Sequence, residues 1–297
     1  VNGSAFAPAK INLFLHVGPV ADDGYHPLCS WMTFADVGDR VHLGDGGEPL
    51  VVDGPFAAEL AGTPADDNLV LRATRALLAR TGAADLALPL RLSKTLPVAS
   101  GLGGGSSDAG AALRLVREAL ALTVDDDMLE AVARDLGADG AACLWARPAI
   151  AEGRGERLSA PPTAPMLNAV LANPGVACPT GPVYRAFDAA VAAGARCGAD
   201  RPALPERFET AAEVAEALAN CRNDLEAPAV GLAPEVGRAL ALLRSAPEAL
   251  LARLSGSGAT CFALCADEKA AERLAGEVAA AEPSWWVKTC RLGAPVL

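Results

Sequence analysis

The chain has 297 residues, 52% of them hydrophobic, and its 36 acidic side chains outnumber 25 Lys and Arg for a net charge of −11. That length can bury one large or two medium cores, and the acidic balance excludes a basic nucleic-acid-binding or anionic-membrane surface. No apolar run approaches the ~18 residues that span a bilayer, and the eight cysteines form no Cys-x-x-Cys pair, so reduced buried thiols are expected.

The opening Val1-Asn2-Gly3-Ser4 has no basic stretch and no signal-like core, which points to a cytoplasmic location. Residues 9–17 alternate as a strand, with Ile11, Leu13, Leu15 and Val17 on one face and Lys10, Asn12, Phe14 and His16 on the other. His16 and His42 are read as sheet-surface or satisfied core residues. Asp22-Asp23-Gly24-Tyr25-His26 is a turn, and short strands are expected at 29–36, 40–44 and 50–53. A helix follows over 68–80, then a strand over 86–92.

Next comes Pro97-Val98-Ala99-Ser100-Gly101-Leu102-Gly103-Gly104-Gly105-Ser106-Ser107-Asp108, leading into an apolar helical stripe of Ala109, Ala112, Leu113, Val116 and Leu120. Four glycines in five positions let the backbone approach a ligand closely and turn its N–H groups onto one point. The start of a helix adds partial positive charge, so this strand–turn–helix is a phosphate cradle. Ser106, Ser107 or Asp108 is expected to cap the helix. The cradle lacks the closing Gly-Lys-Ser/Thr of a Walker loop and the Rossmann glycine spacing.

A helix over 125–136 ends at Gly137. Gly153-Arg154-Gly155-Glu156-Arg157 and Pro161-Pro162-Thr163-Ala164-Pro165 then mark a boundary, giving units 1–158 and 159–297. Beyond it, strands are expected at 167–172, 260–265 and 286–292, and helices at 181–193, 211–219, 234–245 and 267–280. Residues 194–207 form an exposed connection, and Ser255-Gly256-Ser257-Gly258-Ala259 makes a second glycine turn.

Three blocks in this order resemble the GHMP kinase family: Pro8-Ala9-Lys10-Ile11-Asn12-Leu13, residues 97–108, and residues 255–259. The resemblance implies a mixed α/β (α+β) fold of two domains, an N-terminal ATP-binding one with a left-handed βαβ unit and a ferredoxin-like C-terminal one. Asp23-Gly24-Tyr25-His26-Pro27-Leu28 and Asn223-Asp224-Leu225-Glu226 resemble the members acting in non-mevalonate isoprenoid biosynthesis. Their acceptor is a cytidine diphosphate-linked methylerythritol, phosphorylated on its 2-hydroxyl by ATP with Mg2+.

By that resemblance Asp139 is the general base and Lys10 its partner, with no protein metal cluster. Pro97 to Ser107 hold the triphosphate, with Asn68 and Lys94 near the adenosine. Tyr25, His26 and Tyr184 read the cytidine; Asn12, Thr180, Gly256, Ser257 and Gly258 contact the rest of the acceptor. A monomer or homodimer acting on a small molecule, away from nucleic acid and membrane, is the expected form. Two alternatives remain open at this level: a family member acting on mevalonate or homoserine, and a non-catalytic nucleotide-binding relative.

Overall fold

A computed structural model describes residues 3–64, 66–86, 88–294 and 297. The chain opens with β1 (Ser4–Val17) running antiparallel to β2 (Leu28–Leu43). β2 is one strand of 16 residues where a break near 37–39 was expected. Gly38 and Asp39 stay in the ladder, paired with Pro8 and Ala7, because a register shift between Pro8 and Lys10 accommodates the extra residues before them. Gly38 is needed there, since a Cβ would lie 2.2 Å from the Ala7 carbonyl oxygen.

A second irregularity, between Asn12 and Phe14, breaks the expected alternation of β1. Phe14 consequently joins the core that holds Ile11 and Leu13, while Leu15 and Val17 belong to another core, under the C-terminal helices. His16 is a satisfied buried residue: Nδ1 meets the Asp200 carbonyl at 2.8 Å and Nε2 accepts the Arg222 N–H.

β3 (Leu50–Asp53), α1 (Leu69–Arg80) and β4 (Leu90–Ser93) form a βαβ unit with parallel strands. β4 begins later than the expected 86–92 strand, after Pro89, and Ala87 lies outside the described residues. α2 (Gly104–Ala119) packs Ala112, Leu113 and Val116 against α1 and the β1–β2 pair. α3 (Asp126–Leu136) is capped by the Asp125 carboxylate, which accepts from the Met128 N–H. A short helix, α4 (Gly140–Trp145), follows where sequence periodicity showed nothing, six residues being too few to display a period.

The segment expected as a boundary loop is a hairpin. β5 (Ala149–Gly153) pairs with β2 and turns into β6 (Arg157–Ser159), within which the 158/159 division falls. The second half runs β7 (Leu167–Asn173), α5 (Thr180–Ala192), α6 (Ala211–Ala219), α7 (Glu226–Leu232), α8 (Pro234–Ser245), β8 (Ala249–Leu254), β9 (Cys261–Cys265), α9 (Glu268–Ala281) and β10 (Trp286–Leu292). Its antiparallel order β10-β7-β9-β8 is the ferredoxin-like pattern. Leu292 pairs with Ala35, which joins both halves into one sheet. The cysteines are free, and no described helix is long and apolar enough to cross a membrane.

Candidate active site

The two glycine turns meet where the halves join. Gly101 has φ +78°, and a Cβ there would lie 2.2 Å from the Ser255 carbonyl oxygen, so only glycine fits. Ser255 Oγ donates to the Gly101 carbonyl at 3.0 Å, and the Thr260 N–H donates to the Ser100 carbonyl at 3.0 Å. Asn223 shapes the second turn by donating from Nδ2 to the Leu254 and Gly256 carbonyls, each at 2.8 Å. Its place in the Asn-Asp-Leu-Glu motif therefore has a physical cause.

α2 starts earlier than expected. Gly103, in the left-handed region at φ +61°, occupies the cap position, and no side chain satisfies the first-turn N–H groups. Ser107 and Asp108 thus lie inside the helix and are not its cap, leaving the N–H groups of Gly104, Gly105 and Ser106 available to an anion. Asn68 caps α1 beside them, accepting from the Val70 N–H at 2.9 Å.

Lys10 passes directly against Gly103, where a Cβ would lie 3.1 Å from two Lys10 side-chain carbons. The backbone N–H of Lys10 donates to the Leu102 carbonyl at 2.8 Å, and its Nζ reaches Asp139 Oδ2 at 3.0 Å and Asn12 Oδ1 at 2.7 Å. Asn12 Nδ2 in turn donates to Ser30 Oγ at 2.7 Å, which fixes the amide orientation. Lys10 and Asn12 are buried, whereas Asp139, at the cap position of α4, keeps 29% of its side chain exposed. An ammonium steadied from below and a carboxylate open to the cavity suit proton removal from an alcohol.

Lys94 lies beneath α2 with 2% exposure, and its Nζ contacts Asp39 Oδ2 at 2.5 Å and Asp108 Oδ2 at 2.8 Å. Its ammonium is thus engaged by two carboxylates. Asp39 also accepts the N–H groups of Thr95 and Leu96 through Oδ1. Burial acts against the Lys94 charge, but the Asp108 and Asp39 carboxylates outweigh it and the net shift is upward. Burial pushes the Asp108 carboxyl up to about 7; Lys94 opposes this and Asp39 reinforces it.

A carboxyl near 7 in the fold, against about 4 unfolded, is more protonated folded than unfolded between those values. Its contribution to stability is full below about pH 4 and is lost as pH rises through about 7. Lys94 acts above its ordinary value, outside that window. Asp108→Asn should therefore flatten the fall in urea midpoint between about pH 5 and pH 8 relative to the parent. An undiminished fall would assign the titration to other groups.

At the opposite end, the Tyr25 turn is followed by His26, whose Nδ1 meets the Gly18 carbonyl at 2.9 Å and whose Nε2 lies 3.3 Å from Asp188 Oδ1. The imidazole packs 4.9 Å from the Tyr184 ring and 5.6 Å from Phe187. Burial pushes the Tyr184 hydroxyl up to about 12, with Asp139 adding to the shift. Thr180, one turn earlier on α5, shares a 3.0 Å hydrogen bond with Ser257.

One cavity of about 800 Å³ unites these groups. It is lined by Lys10, Asn12, Asn68, Lys94 and Asp139, by residues 97–101 and 103–106, and by Tyr25, His26, Thr180, Tyr184, Gly256 and Ser257. Three predicted site residues do not line it. Leu102 is committed to the apolar core, Ser107 is enclosed within α2, and Gly258 packs on Leu254 and Cys178. Arg154, Arg185 and Asp188 also line the cavity, though sequence reasoning missed them. The four-residue spacing of Tyr184 and Asp188 on α5 was the available signal.

Two family descriptions match the chain: "GHMP kinases N terminal domain" over residues 68–147 and "GHMP kinases C terminal" over 201–283. The chain belongs to the GHMP kinase family and is an ATP-dependent small-molecule kinase. Among its relatives is the 4-diphosphocytidyl-2-C-methyl-D-erythritol kinase of Caulobacter vibrioides, 58% identical over 292 residues, covering 97% of this chain and 99% of the relative. A crystal structure of 4-(cytidine 5'-diphospho)-2C-methyl-D-erythritol kinase is 33% identical, covers 98% of this chain and 99% of its own, and superposes with a TM-score of 0.75. A homoserine kinase from Cytophaga hutchinsonii shares the fold, with a TM-score of 0.66 and 17% identity over 99% of this chain and 97% of its own.

Proposed function

We propose that this kinase transfers the γ-phosphoryl group of ATP to the 2-hydroxyl of 4-diphosphocytidyl-2-C-methyl-D-erythritol, in non-mevalonate isoprenoid precursor biosynthesis. The observation that carries the reading is the cavity itself. It places an aromatic–histidine cluster suited to a nucleobase at one end, the Lys10–Asp139 pair between, and an uncapped helix start at the other. Full-length relatives with this activity support the same acceptor.

The N–H groups at the start of α2 hold the triphosphate and meet the charge that builds on it. Asp139 takes the proton of the acceptor hydroxyl as its oxygen bonds to the γ-phosphorus and ADP departs. Lys10 aims that carboxylate and steadies the developing alkoxide. Tyr25 and Tyr184 offer aromatic faces to the cytosine while His26 reads its polar edge. A division into lobes 1–158 and 159–297 would keep the nucleotide contacts in the first lobe and set acceptor contacts on both sides of one cleft.

Magnesium fits this donor set as a nucleotide-held ion. No three acidic, histidine or cysteine side chains converge among the described residues, and Ser106 supplies the hydroxyl on the cavity wall beside the phosphate cradle. The ion supplies neutralisation of phosphate charge.

ADP release by the purified chain with ATP and magnesium should be rapid with the cytidine diphosphate acceptor and negligible with mevalonate or homoserine. Tyr25→Ala should raise the acceptor KM about thirtyfold, the scale of a lost base–aromatic stack, with little change for ATP. Turnover of mevalonate or homoserine instead, or ATP binding without turnover of any acceptor, would overturn the assignment.

A further inference from the structure

Tyr25 is 58% exposed, and no aromatic ring packs on it among the described residues. A stacking platform left so free would spend much of its time in other rotamers, at an entropic cost to any base that binds. Its position is set from across the cavity mouth. Arg154, in the turn of the β5–β6 hairpin, lays its guanidinium carbon 4.3 Å from the Tyr25 ring centroid. The same guanidinium pairs with Asp23, whose Oδ1 accepts the Tyr25 N–H at 2.9 Å. The Tyr25 N–H, followed by Arg154, holds the Asp23 carboxyl below the usual carboxylate range.

The hairpin itself is anchored at both ends. Glu156 Oε2 accepts the Arg154 N–H at 2.6 Å, and Gly153 is in register with Leu28, just beyond the Tyr25 turn. On the other side the hairpin touches the loop of the base: a Cβ at Gly155 would lie 3.1 Å from the Ala138 carbonyl oxygen, one residue before Asp139.

We propose that Arg154 is a positioning residue for the acceptor's nucleobase, clamping the Tyr25 ring by its face and the Tyr25 turn through Asp23. The proposal rests on the reading that Tyr25 stacks on that base. It assigns acceptor selectivity to a residue outside the aromatic cluster, and it makes the β5–β6 hairpin a brace between the base-reading and phosphoryl-transfer ends. Arg is suited to the task because its planar cation stacks and pairs at once; the Lys ammonium keeps only the charge.

Steady-state kinetics of Arg154→Ala, Arg154→Lys, Asp23→Asn and Tyr25→Ala, with the Arg154→Ala/Tyr25→Ala double variant, test this, using cytidine diphosphate as a competitive probe. Arg154→Ala should raise the acceptor KM and the inhibition constant of cytidine diphosphate about tenfold, leaving the ATP KM and kcat within about twofold. Arg154→Lys and Asp23→Asn should fall between. In the double variant the loss should equal that of Tyr25→Ala alone, because Arg154 acts through that ring. Multiplied losses would make Arg154 a direct ligand of the acceptor and overturn the positioning role. Unchanged affinity in Arg154→Ala beside a large loss in Tyr25→Ala would overturn it while leaving the base-reading intact. Unchanged affinity in both would remove the base-reading together with it.

Discussion

Replacing Asp139 with asparagine should lower kcat by about a thousandfold, within the span that a general base contributes, and leave ATP affinity within a few-fold of the parent. The asymmetry follows from geometry. Asp139 reaches the site from the start of α4 and pairs with Lys10 at 3.0 Å, whereas the N–H groups suited to phosphate belong to α2. Asparagine keeps the size and can still meet Lys10 through its carbonyl oxygen, but it cannot take a proton from the acceptor hydroxyl. Single-turnover phosphoryl transfer measured beside nucleotide binding checks both halves. Full activity in Asp139→Asn would remove the carboxylate from the chemistry. A parallel loss of nucleotide affinity would make the residue a scaffold for the cradle.

The second large effect is on stability. Lys94→Met should cost about 3–5 kcal/mol, the range found when one partner of a buried ion pair is removed. Asp39 and Asp108 are 0% and 2% exposed and would lose their shared ammonium. Methionine retains most of the volume, so the loss reports charge and not a cavity. Asp108→Asn introduced into the Lys94→Met chain should restore part of it by removing one unpaired carboxylate. Nucleotide affinity should fall as well, because a Cβ at Gly104 would lie 3.1 Å from the Lys94 Nζ, so the cluster underlies the cradle. Urea denaturation of the parent and both variants provides the measurement. A loss under about 1 kcal/mol in Lys94→Met would mean that water reaches the cluster.

The contrast between Lys10 and Lys94 shows what was legible in the sequence. Lys10 lies two residues from its Asn12 partner within a motif, and the resemblance of that motif to a known family, not spacing, is what joined it to the distant Asp139. Lys94 meets Asp39 and Asp108 across 55 and 14 positions, and no periodicity in a single chain records such a meeting. The Gly103-Gly104-Gly105 run could be read as a candidate phosphate cradle because the chemistry it offers is backbone chemistry. Where the helix began within it was not, since a left-handed Gly103 replaced the side-chain cap that Ser106, Ser107 or Asp108 advertised.

β-structure followed the same rule. β3, β7, β9 and β10 show their patterns in isolation. β5 and β6 are five and three residues long and exist because β2 provides an edge, so Gly153 to Arg157 looked like a linker. The unbroken course of β2 depends on an irregularity opposite Pro8 and Lys10, which only the paired strands reveal. Arg154 was hidden for that reason: its importance lies in a turn brought beside Tyr25 by strand pairing.

In the proposed function, one cavity brings an alcohol to the Lys10–Asp139 pair while the start of α2 grips the nucleotide. A crystal structure with adenylyl imidodiphosphate and the cytidine diphosphate acceptor tests it most directly. The expected result has the triphosphate on the N–H groups of Gly104 to Ser106, the cytosine between Tyr25 and Tyr184, and the acceptor 2-hydroxyl within hydrogen-bond reach of Asp139, facing the terminal phosphate. A nucleotide seated away from α2, or an acceptor whose hydroxyls all lie beyond reach of Asp139, would contradict it.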